Sequence, residues 1–434
     1  MFLAWDSPAK AASRCLSIAL FAGLMLSRLA KLVQLPAVTA YLVAGILIGP
    51  FIIGSLGVEG LGFISEDNVE SFSIISDVAL GFIAFSIGNE FRLSQLKSIG
   101  KQATIIGIFQ AVFTTLIVDA GLIGLSLLMP QILPLPVAII MGAIAAATAP
   151  AATLMVVKQY KAKGPVTDVL LPVVALDDAV GLVLFSVSFG VAKALIAGQI
   201  SIIAIIVEPI VEVVLSVGLG AVVGYIFTFF ERFFHSRSKR LAMSVAFILL
   251  TVAISKLEYT PVLGIHIAIS PLLSCMMLGT IFCNACDFSE QLMDRLDRWT
   301  APIYILFFVL SGAELDLNVL SDIVIVLIGV GYILFRCIGK YFGARMSAAM
   351  AKSEKNIKKY LGITLFPQAG VALGMALIVK DAGFGTIGII IESLTLFSVL
   401  IYELVGPFLT KISLQKAGEI DPEGKVSERE GLVK

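Results

Sequence analysis

Apolar runs long enough to cross a lipid bilayer recur along the whole chain, and no other feature limits its fold as much. Hydrocarbon offers no water to backbone N–H and C=O groups, so a spanning segment must be a helix or part of a closed barrel. The runs are mostly about 20 residues long, as a spanning helix requires, rather than the roughly 10 of a barrel strand. They lie at Leu16 to Leu32, Val38 to Ile53, Ser71 to Gly88, Ala103 to Leu127, Leu135 to Val157 and Val169 to Phe189. Seven more follow at Ile202 to Phe229, Leu241 to Leu257, Val262 to Phe282, Trp299 to Leu310, Ile323 to Phe342, Tyr360 to Val379 and Ile387 to Leu409. The expected fold is an all-α polytopic membrane protein of about thirteen spans. Charged residues make up only 14% of the chain, against roughly 25% in soluble domains. Formal net charge is zero, which argues against nucleic acid, a partner that needs a concentrated basic surface.

The loops test the count. Those after odd-numbered spans carry Arg28 and Lys31; Arg92, Lys97 and Lys101; Lys158, Lys161 and Lys163; Arg232, Arg237, Lys239 and Arg240; Arg295 and Arg298; and Lys352, Lys355, Lys358 and Lys359. The other loops are nearly free of Lys and Arg, with Lys193, Lys256 and Lys380 as exceptions, and one holds Glu59, Glu66, Asp67 and Glu70. The positive-inside rule then predicts an outside N-terminus and a cytoplasmic C-terminus in a multi-pass plasma (inner) membrane protein. Lys10 and Arg14 run against that orientation. The cysteines lie mostly in apolar runs, and the one close pair, Cys283 and Cys286, has no second pair beside it, so they read as packing residues.

Two further patterns point to a transporter. Gly88-Asn89-Glu90-Phe91-Arg92-Leu93 ends the third span as Gly312-Ala313-Glu314-Leu315-Asp316-Leu317 ends the tenth, with Leu96 and Leu320 at equal spacing. An odd separation of seven spans makes the copies antiparallel, an inverted repeat. The fifth and twelfth spans, also seven apart, are interrupted at Thr148-Ala149-Pro150 and at Phe366-Pro367-Gln368-Ala369-Gly370. Proline removes a backbone donor and clashes with the preceding turn, and such breaks in lipid persist where they line a cavity or find partners. Paired broken helices mark a midplane ion site; a simple proline kink is the plainer alternative for either one.

Chemistry concentrates on Asp177 and Asp178, adjacent in the sixth span. A charged side chain at the bilayer centre costs roughly 2.5–3.5 kcal/mol on insertion scales, so such residues handle ions or protons or are paired. Neighbours on a helix point about 100° apart, which divides their tasks. One faces a cavity and takes a proton or cation; the other turns to a counter-charge. Lys340 and Arg336, one turn apart on the eleventh span, are the candidates, each also able to snorkel toward the surface. Gly339 and Gly343 beside Lys340 predict close helix packing there. Desolvation disfavours the charged form of a carboxylate, so one group can exchange H⁺ for a cation. Oxygen ligands suit Na⁺, and Thr148 with carbonyls freed around Pro150 are expected to supply the remainder.

The string Val174-Ala175-Leu176-Asp177-Asp178-Ala179-Val180-Gly181-Leu182, with Ile338-Gly339-Lys340-Tyr341-Phe342-Gly343 and the broken Thr148-Ala149-Pro150, resembles the monovalent cation/proton antiporter superfamily, specifically its two-aspartate electrogenic Na⁺/H⁺ exchangers. The resemblance extends from Leu35-Pro36-Ala37-Val38 and Gly45-Ile46-Leu47-Ile48-Gly49-Pro50 through the eleventh span. It implies a homodimer of protomers with an inverted-topology repeat and two broken crossing helices. A dimerisation panel would comprise 1–100 and 236–318, and an ion-translocating core 101–197 and 319–413. A linker helix at 198–235 and a cytoplasmic tail at 414–434 complete the division. It assigns Asp178 the transported ion, Asp177 a salt bridge to Lys340, and Thr148 a place at the crossing.

Pro150, Pro367, Gln368 and Arg336 stand as modulators. Two departures bear on ion choice: Ala149 replaces an acidic residue of many relatives, and Pro367-Gln368-Ala369-Gly370 replaces an Arg-Gly-Glu type sequence. The expected activity is therefore exchange of H⁺ for Na⁺, with Li⁺ and K⁺ as other candidate cations, no cofactor and no enzymatic step. K⁺/H⁺ or electroneutral exchange is the alternative. An intramembrane aspartyl protease, which needs carboxylates from two helices sharing a proton, is a remote one. Asp77, Asp119, Glu208, Glu212, Glu392 and Glu403 read as solvated near the interface, His266 as a packing residue, and Glu90 and Glu314 as helix ends.

Overall fold

The computed structural model describes residues 8–32, 37–58, 61–89, 91–149, 153, 156–157, 160–198, 207–234, 236–257, 269–315 and 323–420. Among them are fifteen α-helices and no strand. In chain order they are α1 (Pro8–Leu32), α2 (Ala37–Ile48), α3 (Glu66–Glu70), α4 (Ser73–Asn89), α5 (Leu93–Leu128), α6 (Leu135–Ile144), α7 (Pro165–Ile196) and α8 (Glu208–Glu231). They continue as α9 (Arg237–Ser255), α10 (Pro271–Ala285), α11 (Ser289–Ala313), α12 (Ile323–Met350), α13 (Lys355–Thr364), α14 (Gly370–Asp381) and α15 (Thr386–Lys416). Seven helices are long and apolar enough to cross a membrane, and α2, α4, α6 and α10 are shorter apolar helices. Each apolar run read from the sequence contains helix. The tenth was expected from Trp299, but α11 begins at Ser289, because its first turns carry Glu290, Asp294 and Arg295, which a search for apolar runs passes over.

The packing falls into two groups. In one, α2 lies against α1 and α11, and α10 lies between α4 and α8. In the other, α5 is held by α12, α7 and α6, while α13 and α14 pack on α15. Glycines make the first group's contacts unusually close. A β-carbon on Gly88 of α4 would stand 1.9 Å from the carbonyl oxygen of Met276, and one on Gly279 of α10 would stand 2.2 Å from that of Phe85. The same arrangement joins α11 to α2: a β-carbon on Gly312 would be 2.2 Å from Leu42 O, and one on Gly45 would be 2.0 Å from Val309 O. Any side chain there would force the backbones apart. Gly88 and Gly312 are the glycines matched in the repeat, so both copies use that position alike. Glu90, Asp316, Leu317 and Leu320 of the repeat lie outside the described residues.

A buried carboxylate pair at two interrupted helices

Helix α6 stops at Ile144, and Ala147 to Ala149 have left the helix; α13 stops at Thr364, and Phe366 to Ala369 are not helical before α14 begins at Gly370. The two breaks meet. The Ala149 amide donates to Pro367 O at 2.9 Å, and the Thr148 hydroxyl lies 3.4 Å from Leu365 O. Gly406 of α15 leaves room for Pro367, since a β-carbon there would come within 2.8 Å of its Cγ. Pro150 lies outside the described residues.

Helix α7 delivers Asp177 and Asp178 to this crossing, both 0% exposed. Their surroundings differ. Asp177 Oδ2 accepts from Gln110 Nε2 at 2.5 Å, Thr148 Oγ1 at 2.7 Å and Lys340 Nζ at 2.9 Å. Asp178 Oδ1 accepts one bond, from the Thr148 amide at 3.1 Å, and its Oδ2 has no hydrogen-bond partner. Thr148 therefore touches both carboxylates, one through its side chain and one through its backbone.

The counter-charges come from α12. Lys340 and Arg336 are both fully buried, which excludes snorkelling for either. Lys340 is the residue that meets Asp177; its ammonium also donates to Thr148 Oγ1 at 2.8 Å and to Ala146 O. Arg336 pairs with neither aspartate. It donates to Ala145 O at 3.0 Å, Ala147 O at 2.6 Å and, across the crossing, Phe366 O at 2.7 Å, with its guanidinium 4.4 Å above the Tyr402 ring. Gln368 Nε2 takes Ile144 O at 2.8 Å and lies 3.3 Å from the Tyr332 hydroxyl.

At the end of α6 the carbonyls of Ile144, Ala145, Ala146 and Ala147 accept from Gln368, Arg336 and Lys340. The last carbonyls of a helix form the negative end of its dipole, which attracts donors and cations above all.

Several ionisable residues read as solvated need correction. Glu392 and Glu403 are 5% and 1% exposed. Glu392 shares Lys380 with Glu314, at 3.1 and 3.2 Å; a lysine between two carboxylates replaces the water that interfacial placement would have supplied. Glu212 is also buried, and Asp77 is bridged by Lys256. The three basic residues that broke the loop pattern are thus engaged locally: Lys380 and Lys256 in ion pairs, and Lys193 5.9 Å from the Phe189 ring. His266, Glu90 and the side chain of Glu208 lie outside the described residues.

Sequence reasoning missed Gln110, Tyr332 and Tyr402. Gln110 left a signal, a lone amide between Phe109 and Ala111 in an apolar run.

A helical membrane bundle with an inverted repeat, two interrupted helices crossing at the centre and a buried acid pair there is the architecture of a secondary transporter for small cations. The chain belongs to the sodium/hydrogen exchanger family, whose transmembrane region matches residues 16–416. Its fold is similar to that of the sodium proton antiporter MjNhaP1 from Methanocaldococcus jannaschii at pH 8, at 20% identity and a TM-score of 0.71 over 93% of this chain and 98% of that one. The structure of that antiporter from a 3D EM map is also similar, at 20% identity and a TM-score of 0.66 over 94% and 98% of the two chains. None of the curated proteins matches it by sequence. Family membership makes the chain a multi-pass membrane cation/proton antiporter and not an enzyme.

Proposed function

We propose that this chain exchanges H⁺ for Na⁺ by alternating access, electrogenically, with Asp178 carrying the transported ion. What supports this above all is the inequality of the two aspartates. Each keeps one oxygen without a hydrogen-bond partner, but Asp177 Oδ2 is held by three donors, Lys340 among them, whereas Asp178, equally buried, accepts a single backbone amide and meets no cation. A buried carboxylate without a counter-charge is costly. It is neutral when it holds a proton and compensated when it holds a cation, so the two occupants exclude each other.

Electrogenic exchange of about two H⁺ per Na⁺ requires a second proton donor, and Lys340 is the titratable group in contact with the pair. In this scheme Na⁺ draws on both aspartates while Lys340 gives up its proton. Each uncompensated charge then couples to voltage by roughly 2.3 kcal/mol per 100 mV. Electroneutral exchange, with Na⁺ or K⁺, is a second reading. It is favoured by the three contacts that already tie Lys340 down, to Asp177, Thr148 and Ala146. In that case Asp178 alone trades one proton for one cation.

The two packing groups support a panel at 1–100 and 236–318 and a core at 101–197 and 319–413, the core moving against the panel. The protein is a homodimer in this scheme, with the N-terminus outside and the C-terminus in the cytoplasm of a plasma-membrane protein. Flux into proteoliposomes decides between the readings. Na⁺ or Li⁺ uptake that responds to an imposed voltage supports the electrogenic scheme. Uptake of the same ions indifferent to voltage supports the electroneutral one, and transport of K⁺ alone overturns the choice of Na⁺.

A further inference from the structure

Resting on the exchange proposed above, we infer that Gln110 is a specificity-determining residue of the ion site, setting which alkali cation the aspartates accept. Its side chain is 0% exposed, and an amide is buried at a cost unless its polar atoms are used. The amide nitrogen is used, on Asp177 Oδ2 at 2.5 Å. That contact fixes the orientation of the amide, because the reverse would press two acceptors together. The other end, Oε1, has no hydrogen-bond partner, and neither have Asp177 Oδ1 and Asp178 Oδ2. Covalent geometry keeps Gln110 Oε1 within about 5 Å of Asp177 Oδ2. Together with the carboxylate it touches, Gln110 thus brings a neutral buried oxygen without a partner beside Asp177 Oδ1 and Asp178 Oδ2; Gln368 Oε1 is a second neutral one, on a side chain that binds Ile144 O and not an aspartate.

The backbone carrying Gln110 is held tightly. The Thr114 hydroxyl donates to Gln110 O at 2.7 Å. Across the α5–α12 seam, a β-carbon on Gly343 would be 3.1 Å from Gln110 O and one on Gly339 would be 3.1 Å from Thr114 Cα. Lys340 rises between those two glycines, so lysine and glutamine reach the same carboxylate oxygen from facing helices. Selection among hard cations depends on the number, charge and rigidity of oxygen ligands. A neutral oxygen on a rigid helix changes that set without changing the charge moved per cycle.

The test is Na⁺ uptake into proteoliposomes, with Li⁺ and K⁺ as competitors, for Gln110→Met and Gln110→Glu. Gln110→Met keeps the length and removes the amide. The expected result is a KM for Na⁺ raised about tenfold, with Vmax per inserted protein within about twofold and an altered Na⁺/Li⁺ ratio. A lower Vmax with KM and ion ratio unchanged makes Gln110 a packing residue and overturns the inference. Should Gln110→Met fail to insert, Gln110→Glu decides: a shifted Na⁺/Li⁺ ratio supports the role and an unshifted one refutes it. Asp178→Asn, assayed in parallel, separates the two failures. Exchange surviving in that variant removes the site itself, whereas its loss beside unchanged Gln110 variants removes only this inference.

Discussion

Two clusters in this molecule each contain one lysine and two carboxylates, and they are wired differently. Lys380 sits between Glu314 and Glu392, touching both, at 3.2 and 3.1 Å. Lys340 touches Asp177 at 2.9 Å, while Asp178, the next residue, has one backbone amide as its donor and no ion pair. The first cluster is also partly wet, the Lys380 side chain being 31% exposed against 0% for Lys340. An arrangement in which the lysine serves both acids is closed and ties helices together. One in which it serves a single acid leaves the other available. Equal composition therefore does not imply equal function; the distribution of partners does.

The largest effect that would break the comparison is expected from Lys340→Ala. It strands Asp177 in a dry site and should cost about 3–5 kcal/mol, read as a lower melting temperature in detergent, together with loss of voltage-dependent flux. Asp177→Asn should cost less, roughly 1–3 kcal/mol, because an amide can still accept from Thr148. In the other cluster Lys380→Met leaves two carboxylates that are 8% and 7% exposed, so it should cost about 1–3 kcal/mol, and it should leave the KM for Na⁺ unchanged. A changed KM would mean that this cluster too handles the ion. The smallest effect is expected from Glu392→Gln: within about 1 kcal/mol in thermal melts, since Glu314 still holds Lys380.

Much of the fold was legible because lipid permits so few structures: run lengths gave the helices, and Pro367 marked one break. The aspartate pair announced itself by being charged in an apolar run. What stayed hidden was relational. No local pattern says that Arg336 would grip the end of α6 instead of an acid, or that Lys380, Glu314 and Glu392 from three helices would meet. Those contacts arise from the inverted packing, which sequence reveals through a short matched motif, Gly88 to Leu93 against Gly312 to Leu317, and through the paired breaks.

The decisive measurement is cation-driven proton flux by reconstituted Asp178→Asn, alongside the unmodified protein and with insertion verified. An asparagine keeps the shape but holds neither proton nor compensating charge, so exchange should fall to the level of empty vesicles. Full Na⁺-dependent exchange in that variant would contradict the assignment of the transported ion to Asp178.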